Sequence, residues 1–309
     1  MNEKINDLQR NIALHLVGKE EQIRELLIAL LAGGHVLIED VPGVGKTTLA
    51  KALAASVDMS CGRIQFTPDT LPTDVTGVSV YNRKSESFEV VPGPVMNQIV
   101  LADEINRTSP KTQAALLEVM EENQVTIDGT SFALPQPFIV IATENPIDTV
   151  GTYALPEAEL DRFMMRISMG YPDTEDTWAM AQRFLSGELT QALAPVVSAG
   201  DILSMKHEVT QVKVAEELVR YVTALIEATR RDPDVRCGAS PRAVLILLRA
   251  AQAAAYVDGR DFVIPEDVRE MARLTLPHRL LLRTEARRNH VDGRAIVERV
   301  LSKEPVPGI

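Results

Sequence analysis

The sequence predicts an α/β core followed by an all-helical domain, and three observations carry that prediction. A short apolar run, Val36 to Ile38, leads through a Pro/Gly-rich loop into a helix that opens at Lys46. Two further apolar runs end in polar residues, at Asp103-Glu104 and at Asn145. Past Tyr171-Pro172 the strand signals largely vanish and helical periodicity takes over. A domain boundary is therefore expected near residue 172, dividing the chain into residues 1–172 and 173–309.

In chain order, Ile5, Leu8, Ile12 and Leu16 recur at helical spacing and predict a helix over 2–16, interrupted at Val17-Gly18. A second helix runs from Gln22 to Ala32 and stops at Gly33-Gly34. Strands are expected at 36–38, 63–66, 97–101, 138–142 and 164–169. Between the second and third, Val75, Val78 and Val80 with Phe88 and Val90 suggest a small hairpin whose tip is Asn82 to Ser85. Ser109-Pro110 supplies an N-cap and a first-turn proline for a helix over 111–122. Asp128-Gly129 is a two-residue turn signal, and pairing across it sets Val125 opposite Phe132 and Ile127 opposite Thr130. The second domain carries candidate helices over 175–185, 215–229, 241–257 and 265–274. Residues 173–200 and the last ten carry no functional signal.

With 309 residues the chain can bury a large core, and 45% hydrophobic with 24% charged residues is ordinary globular composition. A formal charge of −11 argues against a surface built for nucleic acid. Cys61 and Cys237 are too few for a disulfide framework, and the histidines at 15, 35, 207, 278 and 290 lack metal-ligand spacing. Glu3, Lys4, Asp7 and Arg10 leave no secretory leader, and the longest apolar run, Leu26 to Ala32, is too short to span a membrane. A soluble, cytoplasmic protein is expected.

The chemistry starts at the loop, Val41-Pro42-Gly43-Val44-Gly45-Lys46-Thr47-Thr48. Glycines let successive backbone N–H groups turn inward as an anion nest, and the following helix N-terminus adds partial positive charge at the same point. Lys46 is placed to reach the β- and γ-phosphates of a nucleoside triphosphate, and the Thr47 hydroxyl to bind Mg²⁺. Asp40 stands where such loops usually begin with glycine, so its carboxylate is expected to point away from the ligand. The strand ending at Asp103-Glu104 delivers two acids to the sheet edge where open α/β sheets bind ligands. Asp103 is the expected Mg²⁺ partner of Thr47, and Glu104 the group that polarises the attacking water. Asn145 can donate to a γ-phosphate oxygen and accept from that water; a turn asparagine before proline is the plainer alternative.

Phosphate loop, Asp-Glu strand end, polar fourth strand end and helical C-terminal domain recur in this order in AAA+ ATPases. The chain resembles the MoxR family among them, through Glu39 to Thr47 (Glu-Asp-Val-Pro-Gly-Val-Gly-Lys-Thr), Asp103 to Arg107, Ala142 to Pro146 and Leu155 to Phe163. This resemblance covers nearly the whole chain and implies a five-stranded parallel sheet of order 5-1-4-3-2 with a helical lid. Asn145 then matches sensor 1, and Val17-Gly18 the place where backbone packs against adenine. The hairpins at 75–90 and 124–134 match the helix-2 insert and the pre-sensor-1 hairpin, both facing the pore of a ring.

Arg162 matches the arginine finger that reaches a neighbouring subunit's γ-phosphate, with Arg166 its nearest rival; a plain helix C-terminal cation is the alternative. Arg242, in a helix first turn, needs an anion to offset the dipole. The resemblance makes that anion a phosphate and Arg242 sensor 2; a nearby carboxylate is the alternative. Arg107 resembles a further subunit-interface residue. The implied function is Mg²⁺-dependent ATP hydrolysis by a hexameric ring that remodels a protein client, with a von Willebrand factor A-domain protein as the family's partner. A nucleic-acid motor is the competing reading, weakened by the acidic chain and the absence of Lys or Arg in the 124–134 hairpin. A nucleotide-gated scaffold with little turnover is a third, opposed by intact Glu104, Asn145 and Arg162.

Overall fold

The computed structural model describes residues 3–41, 43–145 and 152–308. Helices α1 (Glu3–Ala13) and α2 (Glu20–Ala32) precede β1 (Val36–Glu39), α3 (Lys46–Val57) and β2 (Cys61–Gln65). A short α4 (Pro72–Thr76) leads into the hairpin of β3 (Gly77–Asn82) and β4 (Ser87–Pro92). Then come β5 (Ile99–Asp103), α5 (Pro110–Glu122), the hairpin of β6 (Gln124–Ile127) and β7 (Thr130–Ala133), β8 (Ile139–Glu144), α6 (Glu157–Leu160) and β9 (Met165–Ile167). The remainder is helical: α7 (Thr174–Ser186), α8 (Ala199–Val209), α9 (Glu216–Arg231), then, after β10 (Val235–Cys237), α10 (Pro241–Val257) and α11 (Pro265–Thr275). The two-residue β11 (Leu281–Leu282), α12 (Thr284–Arg288) and α13 (Gly293–Lys303) complete it.

Five parallel strands form the central sheet in the order β2-β5-β8-β1-β9, the 5-1-4-3-2 order implied by the resemblance. The inner strands β1, β5 and β8 are apolar up to their polar ends because both faces are covered, whereas the edge strands β2 and β9 carry Arg63, Gln65 and Arg166. Val36 and Ile38, Ile99 and Leu101, and Ile139 and Ile141 enter one core with α1, α2, α3 and the helical region. Leu37, Val100, Ala102, Val140 and Ala142 point the other way, into a second core with Leu116, Leu117 and Met120 of α5. The 124–134 hairpin pairs as expected, Val125 with Phe132 and Ile127 with Thr130.

Some boundaries differ from the sequence reading. The first helix stops at Ala13, and the fifth strand is trimmed to Met165–Ile167. Helices α8, α12 and α13 and the β10–β11 pair were not anticipated. Helix α8 has a local signal in the sequence: Ser198 accepts from the Asp201 amide while the Asp201 carboxylate accepts from the Ser198 amide, a reciprocal cap.

One buried cation ties the helical region to the sheet's loops. The Arg279 side chain is 1% exposed, pairs with Asp161 at 2.8 Å, and donates to the carbonyls of Asp161, Phe163 and Met164 at 3.1, 2.7 and 3.2 Å. Burial lowers its pKa to about 10 against the opposing pull of Asp161. Arg279→Met removes the cation from that carboxylate and the side-chain donor from the Asp161 and Met164 carbonyls, and is expected to lower unfolding stability by about 3 kcal/mol in urea titration. A loss under about 1 kcal/mol, the range of an exposed pair, contradicts this role.

Candidate active site

The phosphate loop leaves β1 and enters α3 at Gly45, whose φ of +94° suits glycine and tips the Lys46–Thr48 amides inward. Around it lies a pocket of about 380 Å³ lined by Gly43, Gly45, Lys46, Thr47, Thr48, Arg63, Gln65, Asp103, Glu104 and Asn145. Residues from four separate strand ends and one helix start therefore meet at one edge of the sheet. Parallel pairing explains the meeting, since it brings the C-terminal ends of β2, β5, β8 and β1 to the same side.

Lys46 is half-buried and donates from Nζ to the carbonyls of Asp40 and Glu144, at 2.7 and 3.4 Å. Burial lowers its pKa, while Asp103, Asp40 and Glu104 oppose that shift. The Asp40 carboxylate turns from the loop toward the end of β9, accepting from Gly170 N at 2.6 Å, Ser168 Oγ at 3.0 Å and Val41 N at 2.7 Å. Burial would raise this carboxyl, but those donors and Lys46 outweigh it and leave its pKa below the ordinary value. The residue that breaks the usual loop pattern thus serves as a brace.

Asp103 is buried, and its two oxygens face different ways. Oδ1 accepts from Thr143 Oγ1 at 2.7 Å; Oδ2 accepts from Arg63 Nη2 at 2.8 Å and lies 3.4 Å from Thr47 Oγ1. An aspartate oxygen and a threonine hydroxyl this close fit Mg²⁺, which takes few protein oxygens and fills its octahedron with water and phosphate. Among the described residues no group of three or more His, Cys, Asp or Glu offers a full protein cage.

Glu104 has left-handed backbone at φ +57°, ψ +50°, which costs a residue with a Cβ about 1–2 kcal/mol. Its amide donates to Thr143 Oγ1 at 2.9 Å, so Thr143 fixes both acids. Oε2 accepts from Gln65 Nε2 and from Arg107 Nε, each at 3.1 Å. Strained backbone held from several sides makes Glu104 a candidate functional position. Asn145 is 3% exposed, and its carbonyl accepts from Asn106 Nδ2 at 3.3 Å. Gln113 Nε2 donates to the carbonyls of Ile105, Thr108 and Tyr153, which stitches the loop after β5 to the chain beyond β8.

The other expected site residues lie outside the pocket lining. Val44 is 8% exposed and sits in the core, leaving only its backbone for a ligand; the Val41 amide is engaged by Asp40. Pro42 lies outside the described residues. Val17-Gly18 joins α1 to α2, with Gly18 at φ +67° and Asp176 of α7 so close that any side chain there would collide with it.

Arg242 differs most from the phosphate-facing expectation. It pairs with Glu121 of α5 at 3.1 Å, and Arg162 pairs with the other oxygen of the same carboxylate at 3.3 Å. The anion that offsets the dipole at the start of α10 is thus a carboxylate in this structure, the alternative weighed from sequence. Arg166 is committed elsewhere, to Glu39 at 3.1 Å. Arg63, Gln65 and Glu121 were missed by sequence reasoning. The alternation Arg63-Ile64-Gln65, with Ile64 buried between half-open polar neighbours, was the available signal for the first two.

Residues 35–165 match the model of the ATPase family associated with various cellular activities (AAA), and residues 227–300 match the AAA lid domain. The chain is 48% identical over 292 residues to the uncharacterized protein YeaC of Bacillus subtilis, covering 94% of this chain and 91% of that protein. It is 41% identical over 303 residues to the chaperone MoxR1 of Mycobacterium tuberculosis, covering 95% and 80%. The crystal structure of a candidate ATPase from Cytophaga hutchinsonii superposes with a TM-score of 0.92 at 40% identity, over 99% of this chain and 95% of that one. Similarity of this degree along nearly the full length, joined to the site just described, means that the chain belongs to the MoxR family of AAA+ ATPases.

Proposed function

We propose that the chain hydrolyses ATP with Mg²⁺ as one subunit of a hexameric ring in the cytoplasm, and uses the cycle to remodel or activate a protein client. The observation that carries the hydrolytic part is the convergence of Lys46, Thr47, Asp103, Glu104 and Asn145 on one pocket. In this reading the 43–48 backbone and Lys46 cradle the β- and γ-phosphates, and Val17-Gly18 lies along the adenine. Thr47 and Asp103 hold the divalent cation, which when bound neutralises charge on the phosphates. Glu104 and Asn145 orient the water in line with the bond to be broken, and phosphoryl transfer needs little beyond such positioning.

Two arginines support the ring. Arg162 and Arg242 share Glu121 and do not line their own pocket, so they are offered together to the nucleotide of an adjacent subunit. Residues 173–309 act as the lid that moves Arg242 with nucleotide state. The β3–β4 hairpin leaves Val80, Tyr81 and Phe88 exposed at 48%, 50% and 74%, apolar surface suited to gripping a protein client in the pore. By family, that client is a von Willebrand factor A-domain protein. Because the finger acts across a boundary, turnover per subunit is expected to rise steeply with protein concentration through the assembly range. A rate per subunit that stays constant on dilution sinks the shared site.

A further inference from the structure

The pocket contains a cation that the nucleotide-binding machinery described so far does not use. Arg63 sits on the edge strand β2, two residues before the end, where parallel register sets it beside Leu101 and sets Gln65 beside Asp103. Its Nη2 donates to Asp103 Oδ2 at 2.8 Å and to Gln65 Oε1 at 2.7 Å. That carboxylate oxygen is the one turned toward Thr47, since the other is occupied by Thr143. Arg63 therefore stands on the lone pairs a divalent cation would use. Lys46 does not compete for this place, its ammonium being turned to the Asp40 and Glu144 carbonyls. Asp103 has 11% of its side chain exposed and Arg63 48%, so the acid is fixed and the base is free to swing.

We propose that Arg63 is an internal counter-cation for Asp103: it neutralises the metal-binding carboxylate before the divalent cation arrives, turns its remaining donors to the polyphosphate in that metal-free state, and is driven off by the metal. This rests on the reading of the pocket as a Mg-nucleotide site and adds a rule for how metal and nucleotide depend on one another. A divalent cation and a guanidinium held at the same carboxylate oxygen repel one another at short range, so metal entry at Oδ2 drives the guanidinium away. Without metal, the same guanidinium lines the pocket and offers planar paired donors to phosphate oxygens. Arg63 therefore holds down the metal's advantage: it weakens metal binding and supports metal-free nucleotide binding.

The test is calorimetric binding of a non-hydrolysable ATP analogue to the unsubstituted chain, Arg63→Gln and Arg63→Lys, each with excess Mg²⁺ and with EDTA. The quantity read is the factor by which Mg²⁺ tightens nucleotide binding. Arg63→Gln is expected to raise that factor about tenfold, within the usual range for coupled ligands. Metal-free affinity should fall, and the Mg²⁺ concentration giving half-maximal tightening should fall with it. Arg63→Lys, retaining the charge without the planar fork, should lie between the two. A factor unchanged in Arg63→Gln, with its thermal unfolding unaltered, overturns the proposal while leaving the pocket assignment standing. Absence of nucleotide binding by the unsubstituted chain under both conditions overturns the assignment and the proposal together.

Discussion

Replacing Glu104 by glutamine is expected to leave ATP affinity within a few-fold and to lower kcat by about 10²–10⁴-fold, the range for losing a positioned general base. The amide keeps the side-chain length and can still meet Gln65 and Arg107, so the left-handed turn at residue 104 should survive. In the proposed mechanism, what disappears is the negative charge that draws a proton from water as the water attacks. The phosphate cradle lies in a different segment, from Gly43 to Thr48, and binding should not follow turnover down. Phosphate release and calorimetric titration on the same preparation separate the two effects. Ordinary turnover in Glu104→Gln would remove this residue from the mechanism.

The second large effect is at Arg162. Arg162→Ala is expected to cost about 10³-fold or more in kcat, the size of a missing arginine finger, with nucleotide affinity of each subunit little altered. Arg166→Ala should cost much less, because its guanidinium is committed to Glu39 at the β1 edge. The present position of Arg162 gives the loss a physical origin. Glu121 holds Arg162 and Arg242 from opposite oxygens, so a phosphate of higher charge approaching from an adjacent subunit can take both guanidinium groups from a half-exposed carboxylate. A comparable loss of turnover in Arg166→Ala would instead favour that residue as the finger.

The parts of the site that were legible in the sequence are those whose chemistry is local. The loop from Gly43 to Thr48 reads directly because strand, glycines and helix start are contiguous, and Asp103-Glu104 reads because an apolar run ends there. All five strands read from their own apolar runs, and the sheet order followed once those landmarks matched a family. Arg63 and Gln65 were not legible as site residues, because only the β2–β5 register brings them to Asp103 and Glu104. Glu121 was harder still: it is one acid among several on a helix surface, and its two arginines lie 41 and 121 positions along the chain. Thr143 likewise reads as an ordinary strand residue until its hydroxyl is seen between the two acids. Long-range juxtaposition, rather than residue type, carries these contacts.

The central claim is that one protomer's pocket is completed by the next protomer's Arg162, and mixing two inactive variants tests it most directly. Glu104→Gln keeps the finger and loses the base; Arg162→Ala keeps the base and loses the finger. In rings assembled from equal amounts of both, roughly a quarter of the head-to-tail boundaries join an intact Glu104 to an intact Arg162. The account predicts that ATP turnover reappears in the mixture at a sizeable fraction of the unsubstituted rate. Turnover no greater than the average of the two variants alone, in mixtures shown to co-assemble, would contradict it.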